Sequence, residues 1–127
     1  MKNHAAGTFE VKLAPEHSDE YIARMSIDKH FKGDLDAVSS GQMLSASTEV
    51  EGSGGYVAME RVSGTLKGRH GTFVLQHSGT MHRGKQLLTV SVVPDSGTGE
   101  LVGLEGRMAI TMADGKHSYD FTFSLVS

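Results

Sequence analysis

The feature that most constrains the fold of this chain is an alternation on either side of an Asp114-Gly115 dipeptide, where every second residue, His117 excepted, is apolar or glycine. Asp-Gly is a preferred pair for a two-residue β-hairpin turn, because both central residues of that turn take positive φ angles. Placing the turn there sets Ile110 opposite Tyr119 and Met108 opposite Phe121. A shift of one residue would set these apolar side chains against polar ones, so the pattern predicts both the hairpin and its register.

A second hairpin is predicted from the alternation in Tyr56–Leu66 and in Thr72–Met81, which a glycine-bearing turn separates. A turn at Gly68-Arg69 would set Glu60 opposite His77. The alternation also places Glu60 on the apolar face of its strand, where an unpaired carboxylate is rarely found.

Weaker alternation elsewhere brings the total to about eight strands joined by short turns. The length of 127 residues fits one domain over residues 1–127. Glycine accounts for 16 of the 127 residues, which is close to double its usual share of ~7%. Glycines inside strands, such as Gly64 and Gly79, suit the sharp bends of a small barrel. Consecutive antiparallel strands with one apolar face close into a barrel, which at about eight strands fills with side chains or holds one small ligand. The predicted fold is all-β, a single-domain eight-stranded antiparallel up-and-down (meander) barrel, and a sandwich of two four-stranded sheets is the alternative.

Two blocks of sequence, over residues 55–80 and 93–106, carry a resemblance to a known family. Together with Lys29–Leu35 they resemble an uncharacterised bacterial family, a domain of unknown function, over nearly the full chain. That family is similar to the allene oxide cyclase barrel, an eight-stranded meander that dirigent proteins share. Plant cyclases of this fold steer a cyclisation mainly by the shape of an apolar cavity, helped by a buried glutamate. Apart from the question of Glu60, the resemblance carries none of their functional residues onto this chain.

Glu60 and His77 are the candidate catalytic residues. A carboxylate and an imidazole inside an apolar barrel shift each other's proton affinity, and they could act as an acid/base pair or hold a polar group of a ligand. A pair that merely satisfies two buried groups is one alternative, and a solvated Glu60 at the barrel mouth is another. The inward face also supplies a predicted ligand-binding set, although the same residues could simply pack the core: Tyr56, Val62, Phe73, Leu75, Met108, Tyr119 and Phe121.

Three functions stay open at this point. The first is binding of a small apolar ligand in the barrel interior with Glu60 and His77 as polar anchors. The second is a cyclase- or isomerase-type enzyme that uses Glu60 as its acid/base, and the third is a packed barrel that acts only as an oligomeric structural or interaction protein. An interior cavity of roughly 300 Å³ or more would favour a ligand. A homo-oligomer, dimer or trimer, is expected, because Val57, Met59 and Val74 give the outer face apolar positions.

Composition narrows the possible partners. Lys and Arg number 12 against 15 Asp and Glu, and a net charge of −3 offers no basic footprint for nucleic acid. The absence of cysteine removes disulfides and thiol catalysis. The seven histidines show no i,i+2 pair that would set two ligands on one strand face, so neither a metal nor a cofactor is predicted. No apolar run reaches the ~18 residues of a membrane span or the ~7 of a secretory signal, so we expect no membrane partner and a cytoplasmic location.

Overall fold

A computed structural model describes residues 3–125, which form eight antiparallel strands closed into a barrel. Each strand pairs with the next along the chain, and β1 pairs with β8 to close the sheet. The predicted meander barrel is therefore confirmed, and the sandwich alternative is wrong. The strands are β1 (Asn3–Ser18), β2 (Ile22–Gly33), β3 (Leu35–Ser47), β4 (Gly54–Leu66), β5 (Arg69–His82), β6 (Lys85–Val92), β7 (Leu104–Ala113) and β8 (Lys116–Leu125).

Three hairpin turns share one two-residue form, with the central pairs Lys67-Gly68, Arg83-Gly84 and Asp114-Gly115. Both residues of each pair have positive φ angles, which lie between 46° and 90°. This conformation matches the right-handed twist of the flanking strands, and glycine at the second position adopts it without strain. The Asp114-Gly115 turn sets Ile110 opposite Tyr119, which confirms the register predicted for β7 and β8.

The turn predicted at Gly68-Arg69 for the β4–β5 hairpin is wrong by one residue. The turn is Lys67-Gly68, and it sets Glu60 opposite Leu75 rather than opposite His77. Moving a two-residue turn by one position shifts the pairing by two residues, so every side chain keeps its face. Glu60 and His77 are consequently diagonal neighbours on the inner face, still within reach of each other.

One end of the barrel, here called the closed end, is filled by side chains. The long β6–β7 connection lies there and contains a short 3₁₀ helix, Gly99–Leu101. The connection is tied to β5, because the amide of Thr98 donates to the carbonyl of Thr72 over 2.8 Å. Leu101 is thereby held in the core, and the side chains that fill the closed end and the layer behind it are all buried: Leu35, Leu66, Phe73, Leu101, Leu104, Phe121 and Phe123.

The opposite end, here called the open end, carries the β1–β2, β3–β4, β5–β6 and β7–β8 turns. Apolar side chains near it stay accessible, and Leu13 and Met112 are 47% and 65% exposed. Strand pairing in the barrel wall is sparse between β6 and β7, which within residues 3–125 are paired only where Ser91 lies opposite Arg107. A groove of about 770 Å³ follows this seam.

Candidate functional site

Glu60 lies inside the barrel with only 1% of its surface exposed, as the alternation along β4 predicts. The alternative of a solvated Glu60 at the barrel mouth is therefore wrong. The residue opposite it on β3 is Gly41, and a Cβ atom added at Gly41 would lie 2.7 Å from Glu60 Cα. Glycine at that position leaves the space that the glutamate occupies. A carboxylate so deeply buried requires partners.

Three side chains donate hydrogen bonds to the carboxylate of Glu60. Lys29 Nζ on β2 and His77 Nε2 on β5 each lie 2.8 Å from Oε2. Ser39 Oγ on β3 lies 3.2 Å from Oε1. Strands β2 to β5 thus bring four polar groups together in the interior, and we call Lys29, Ser39, Glu60 and His77 the Glu60 network.

Lys29 and Ser39 are the members of this network that sequence reasoning missed. Lys29 is 9% exposed, and its Nζ lies 4.9 Å from the ring centroid of Phe9 and 5.7 Å from that of Phe31. Both distances allow cation–π attraction, which helps to hold the ammonium group in an apolar setting. A signal for Lys29 existed, because the alternation that includes Ile27 places it on the inward face, where a lysine needs an anionic partner.

The pKa of Glu60 lies below its ordinary value. Burial by itself would raise this pKa, but the hydrogen bond from His77 and the charge and hydrogen bond of Lys29 outweigh burial. Glu60 is therefore ionised at neutral pH. No buried side-chain nitrogen or oxygen of residues 3–125 lacks a hydrogen-bond partner, so each polar group of the network has at least one.

Tyr56 extends the network toward the open end. Its Oη lies 3.4 Å from His77 Nδ1, while Nε2 of the same imidazole bonds to Glu60. The residue opposite Tyr56 is Gly79, where an added Cβ atom would lie 2.6 Å from Tyr56 Cε1. Burial and then the charge of Glu60 raise the pKa of Tyr56, so its hydroxyl keeps its proton at neutral pH and can donate.

A pocket of about 420 Å³ extends from this network to the open end, and we call it the lumen pocket. All eight strands contribute to its wall, so it is the hollow half of the barrel interior and not a surface groove. Lys29, Tyr56 and His77 are part of the wall, whereas Glu60 lies behind Lys29 and His77. The remaining wall is mostly apolar and comprises Val11, Leu13, Ile27, Met43, Gln86, Leu88, Ile110, Met112 and His117.

Of the predicted ligand-binding residues, Tyr56 lines the lumen pocket. The hydroxyl of Tyr119 donates to the carbonyl of Lys32 and accepts from the amide of Leu35, both over 2.9 Å, so it fixes the β2–β3 turn. The structure thus brings Glu60, His77 and Tyr56 together and places six other predicted residues in the buried core: Val62, Phe73, Leu75, Met108, Tyr119 and Phe121.

A metal cluster and a membrane-spanning helix are both absent from residues 3–125. Within residues 3–125, no group of three or more His, Cys, Asp or Glu side chains is placed to hold a metal ion. The same part of the chain contains no helix that is long and apolar enough to cross a membrane.

Comparison with known proteins gives the chain its family. A sequence model described as "Protein of unknown function (DUF3224)" matches residues 5–123. The chain belongs to the DUF3224 family. A crystal structure of a DUF3224 family protein with unknown function from Shewanella oneidensis MR-1 is similar to it, with 48% identity and a TM-score of 0.96 over 100% of this chain and 99% of that one. No curated protein matches the chain. The family match confirms the resemblance to an uncharacterised bacterial domain.

Proposed function

We propose that this protein binds a small, largely apolar molecule in the lumen pocket and holds a polar group of that molecule against Lys29, Tyr56 and His77. The observation that carries the proposal is that the hollow half of the barrel ends on a buried, hydrogen-bonded polar network. Ligand sites in proteins are typically concave, mostly apolar and supplied with a few fixed polar groups. The volume of about 420 Å³ also lies within the usual range of roughly 300–1,000 Å³.

The two predicted polar anchors have different roles in this proposal. His77 lines the lumen pocket and can contact the ligand directly. Glu60 lies behind it, and a ligand could reach the carboxylate only by displacing Lys29 or His77. We therefore assign Glu60 a positioning role, in which its carboxylate fixes the orientation of the two groups that face the pocket.

Two tryptophan variants test the proposal. Ile110→Trp fills the lumen pocket, whereas Lys12→Trp introduces the same side chain at an exposed position of β1 outside that pocket. Titration calorimetry with the neutral probe 2-naphthalenemethanol should show binding to the wild type and to Lys12→Trp, and its loss in Ile110→Trp. Native mass spectrometry of the untreated wild type should show a mass per chain above 13.6 kDa, and the excess should disappear on denaturation. Equal probe binding by the two variants, both folded by circular dichroism, would contradict a site in the lumen.

A cyclase- or isomerase-type acid/base reaction on the bound molecule is a second candidate, favoured by the hydrogen-bonded chain from Glu60 through His77 to Tyr56. Nδ1 of His77 could take a proton from a carbon of the ligand and return it at another carbon, while the hydroxyl of Tyr56 keeps its own proton and donates a hydrogen bond to the oxyanion that develops between the two steps. Compounds extracted from the wild type and from Tyr56→Phe should then differ in chromatographic retention, because the variant would retain unreacted substrate. Identical compounds from both proteins would favour binding alone.

We also propose that the protein forms a homo-oligomer through the outer face of β3 and β4. Leu44 lies opposite Val57 there, Met59 is nearby, and the three are 46%, 52% and 50% exposed. Val74 of the predicted face is half-buried, and its amide is bonded to Ser96 Oγ in the β6–β7 connection. An apolar patch on a barrel wall favours contact with a second protein surface. Light scattering should give a dimer or trimer that Val57→Lys reduces to the 13.6 kDa monomer, and a wild-type species of that mass would contradict the proposal.

A further inference from the structure

We infer that the molecule held in the lumen pocket is a compact amphiphilic anion, a carboxylate on an apolar body, whose charged group faces Lys29. This inference rests on the proposed function and adds the charge and the orientation of the ligand. It follows from the charges in the pocket wall, from the geometry of Lys29 and from the apolar path to the open end.

The groups in the wall that can carry charge are all of one sign. Lys29, His77 and His117 line the lumen pocket, and among residues 3–125 no Asp or Glu shares that wall with them. The hydrogen-bonding groups that complete it, Tyr56 and Gln86, are uncharged at neutral pH. A cation would therefore find no counter-charge in the wall, whereas an anion would find an ammonium and two imidazoles.

The negative charge nearest the pocket lies behind its positive groups. Glu60 is 1% exposed and accepts from Lys29, His77 and Ser39, so each of its oxygens already has a donor within the network. A ligand in the pocket meets Lys29 and His77 before Glu60, and electrostatic attraction falls with distance. The ion pair therefore presents its positive side to the pocket even though the pair itself is neutral.

Lys29 retains hydrogen-bonding capacity for such a ligand. An ammonium group has three hydrogens, and Glu60 takes one of them over 2.8 Å. The rings of Phe9 and Phe31 flank Nζ at 4.9 and 5.7 Å, and ring faces attract the ammonium charge without supplying an oxygen acceptor. A carboxylate at the inner limit of the pocket would accept a further hydrogen from Lys29, and charge-assisted bonds of this kind are about twice as strong as neutral ones.

The rest of the wall suits an apolar body. Ile27, Met43 and Ile110 line the pocket between the network and the open end, where Leu13 and Met112 are partly exposed. Methionine side chains adapt to ligands of different shape. A volume of about 420 Å³ equals that of about 14 waters at about 30 Å³ each, which sets the ligand at roughly ten to fifteen non-hydrogen atoms.

Three probes of one shape test the charge preference by titration calorimetry at neutral pH: 2-naphthoate, 2-naphthalenemethanol and 2-naphthylmethylamine. They share a naphthalene body, and their head groups are anionic, neutral and cationic. We expect naphthoate to bind at least about tenfold more tightly than the alcohol, and the amine to bind more weakly than the alcohol. Added salt should weaken naphthoate binding and leave alcohol binding unchanged.

Variants of three wall and surface residues test whether Lys29 causes the preference for the anionic probe. Lys29→Gln should abolish the advantage of naphthoate over the alcohol, whereas Lys12→Gln, an exposed lysine on β1, should preserve it. If Lys29→Gln fails to fold, His117→Gln removes a second cation-forming group outside the Glu60 network and should lower the advantage by a smaller factor. Alcohol binding that equals or exceeds naphthoate binding would overturn the inference and leave the proposed function standing. Failure of all three probes to bind would overturn both.

Discussion

The closed and open ends of the barrel are built from the same kinds of side chain, yet only one of them is packed. Leu66 at the closed end has 0% exposure, whereas Leu13 at the open end has 47%. The difference arises because the β6–β7 connection inserts Leu101 at the closed end, whereas Leu13 and Met112 remain accessible at the other. The closed half stabilises the fold, and this leaves the open half able to expose apolar surface that a ligand can cover.

Substitution of one large residue in each half should separate the two most clearly. Phe121 is 0% exposed, and its ring lies 6.0 Å from that of Phe73, so Phe121→Ala should lower the free energy of unfolding by about 3–5 kcal/mol. Met112 is 65% exposed, and Met112→Ala should lower it by about 0.5 kcal/mol or less. Urea denaturation followed by circular dichroism measures both values. Similar losses in the two variants would show that the open half is as tightly packed as the closed half.

The Glu60 network lies between the halves, and its disruption should also be costly. Glu60→Gln leaves the ammonium of Lys29 buried without its counter-charge and should lower the free energy of unfolding by about 3 kcal/mol. Lys29→Met and the double variant complete a thermodynamic cycle. The coupling between the two positions should be about 1–3 kcal/mol. Strictly additive losses would mean that the ion pair adds nothing to stability.

The strands and the site differ in how far the sequence predicts them. Alternation and turn chemistry were sufficient for the barrel, and the Asp114-Gly115 turn fixed the β7–β8 register correctly. At the β4–β5 hairpin the prediction puts Gly68 first in the turn, whereas the structure has it second. All three two-residue turns place glycine second, and applying that rule to Lys67-Gly68 would have given the correct pairing.

The network was only half predictable, and the pocket was not predictable. Glu60 and His77 could be found because a titratable residue on an apolar face is visible within a single strand. Ser39 comes from a neighbouring strand and Lys29 from the one beyond it, so their contacts depend on the curvature of the closed sheet. Alternation also reports the face of a residue but not its height along the barrel axis. For this reason predicted ligand residues such as Phe73 lie in the packed core instead of the pocket.

A change of pH should affect the network and leave the closed end unaffected. The folded pKa of Glu60 lies below its ordinary value of 4.5, so ionised Glu60 favours the folded state. This contribution is fully present above pH 4.5 and is lost as the pH falls through the lower folded value. The stability gap between the wild type and Glu60→Gln, measured with urea at about pH 7, 5 and 3, should therefore shrink toward the lowest pH. The gap for Phe121→Ala should stay constant. A constant gap for both variants would contradict a pKa of Glu60 that is lowered in the folded state.

The smallest expected effect concerns the wall of the open half. Within the described chain, β6 and β7 are paired only where Ser91 lies opposite Arg107. Amides along this β6–β7 seam should therefore exchange with solvent through local opening. The β3–β4 ladder, by contrast, runs from the Leu35–Leu66 pair to the Ser47–Gly54 pair. Amides bonded within this ladder should exchange only through global unfolding. Saturation with 2-naphthalenemethanol should slow exchange along the seam beside Leu88 and Ile110, which line the lumen pocket, by more than at the closed end. A uniform change along all strands would instead indicate that the probe stabilises the whole barrel and has no preferred half.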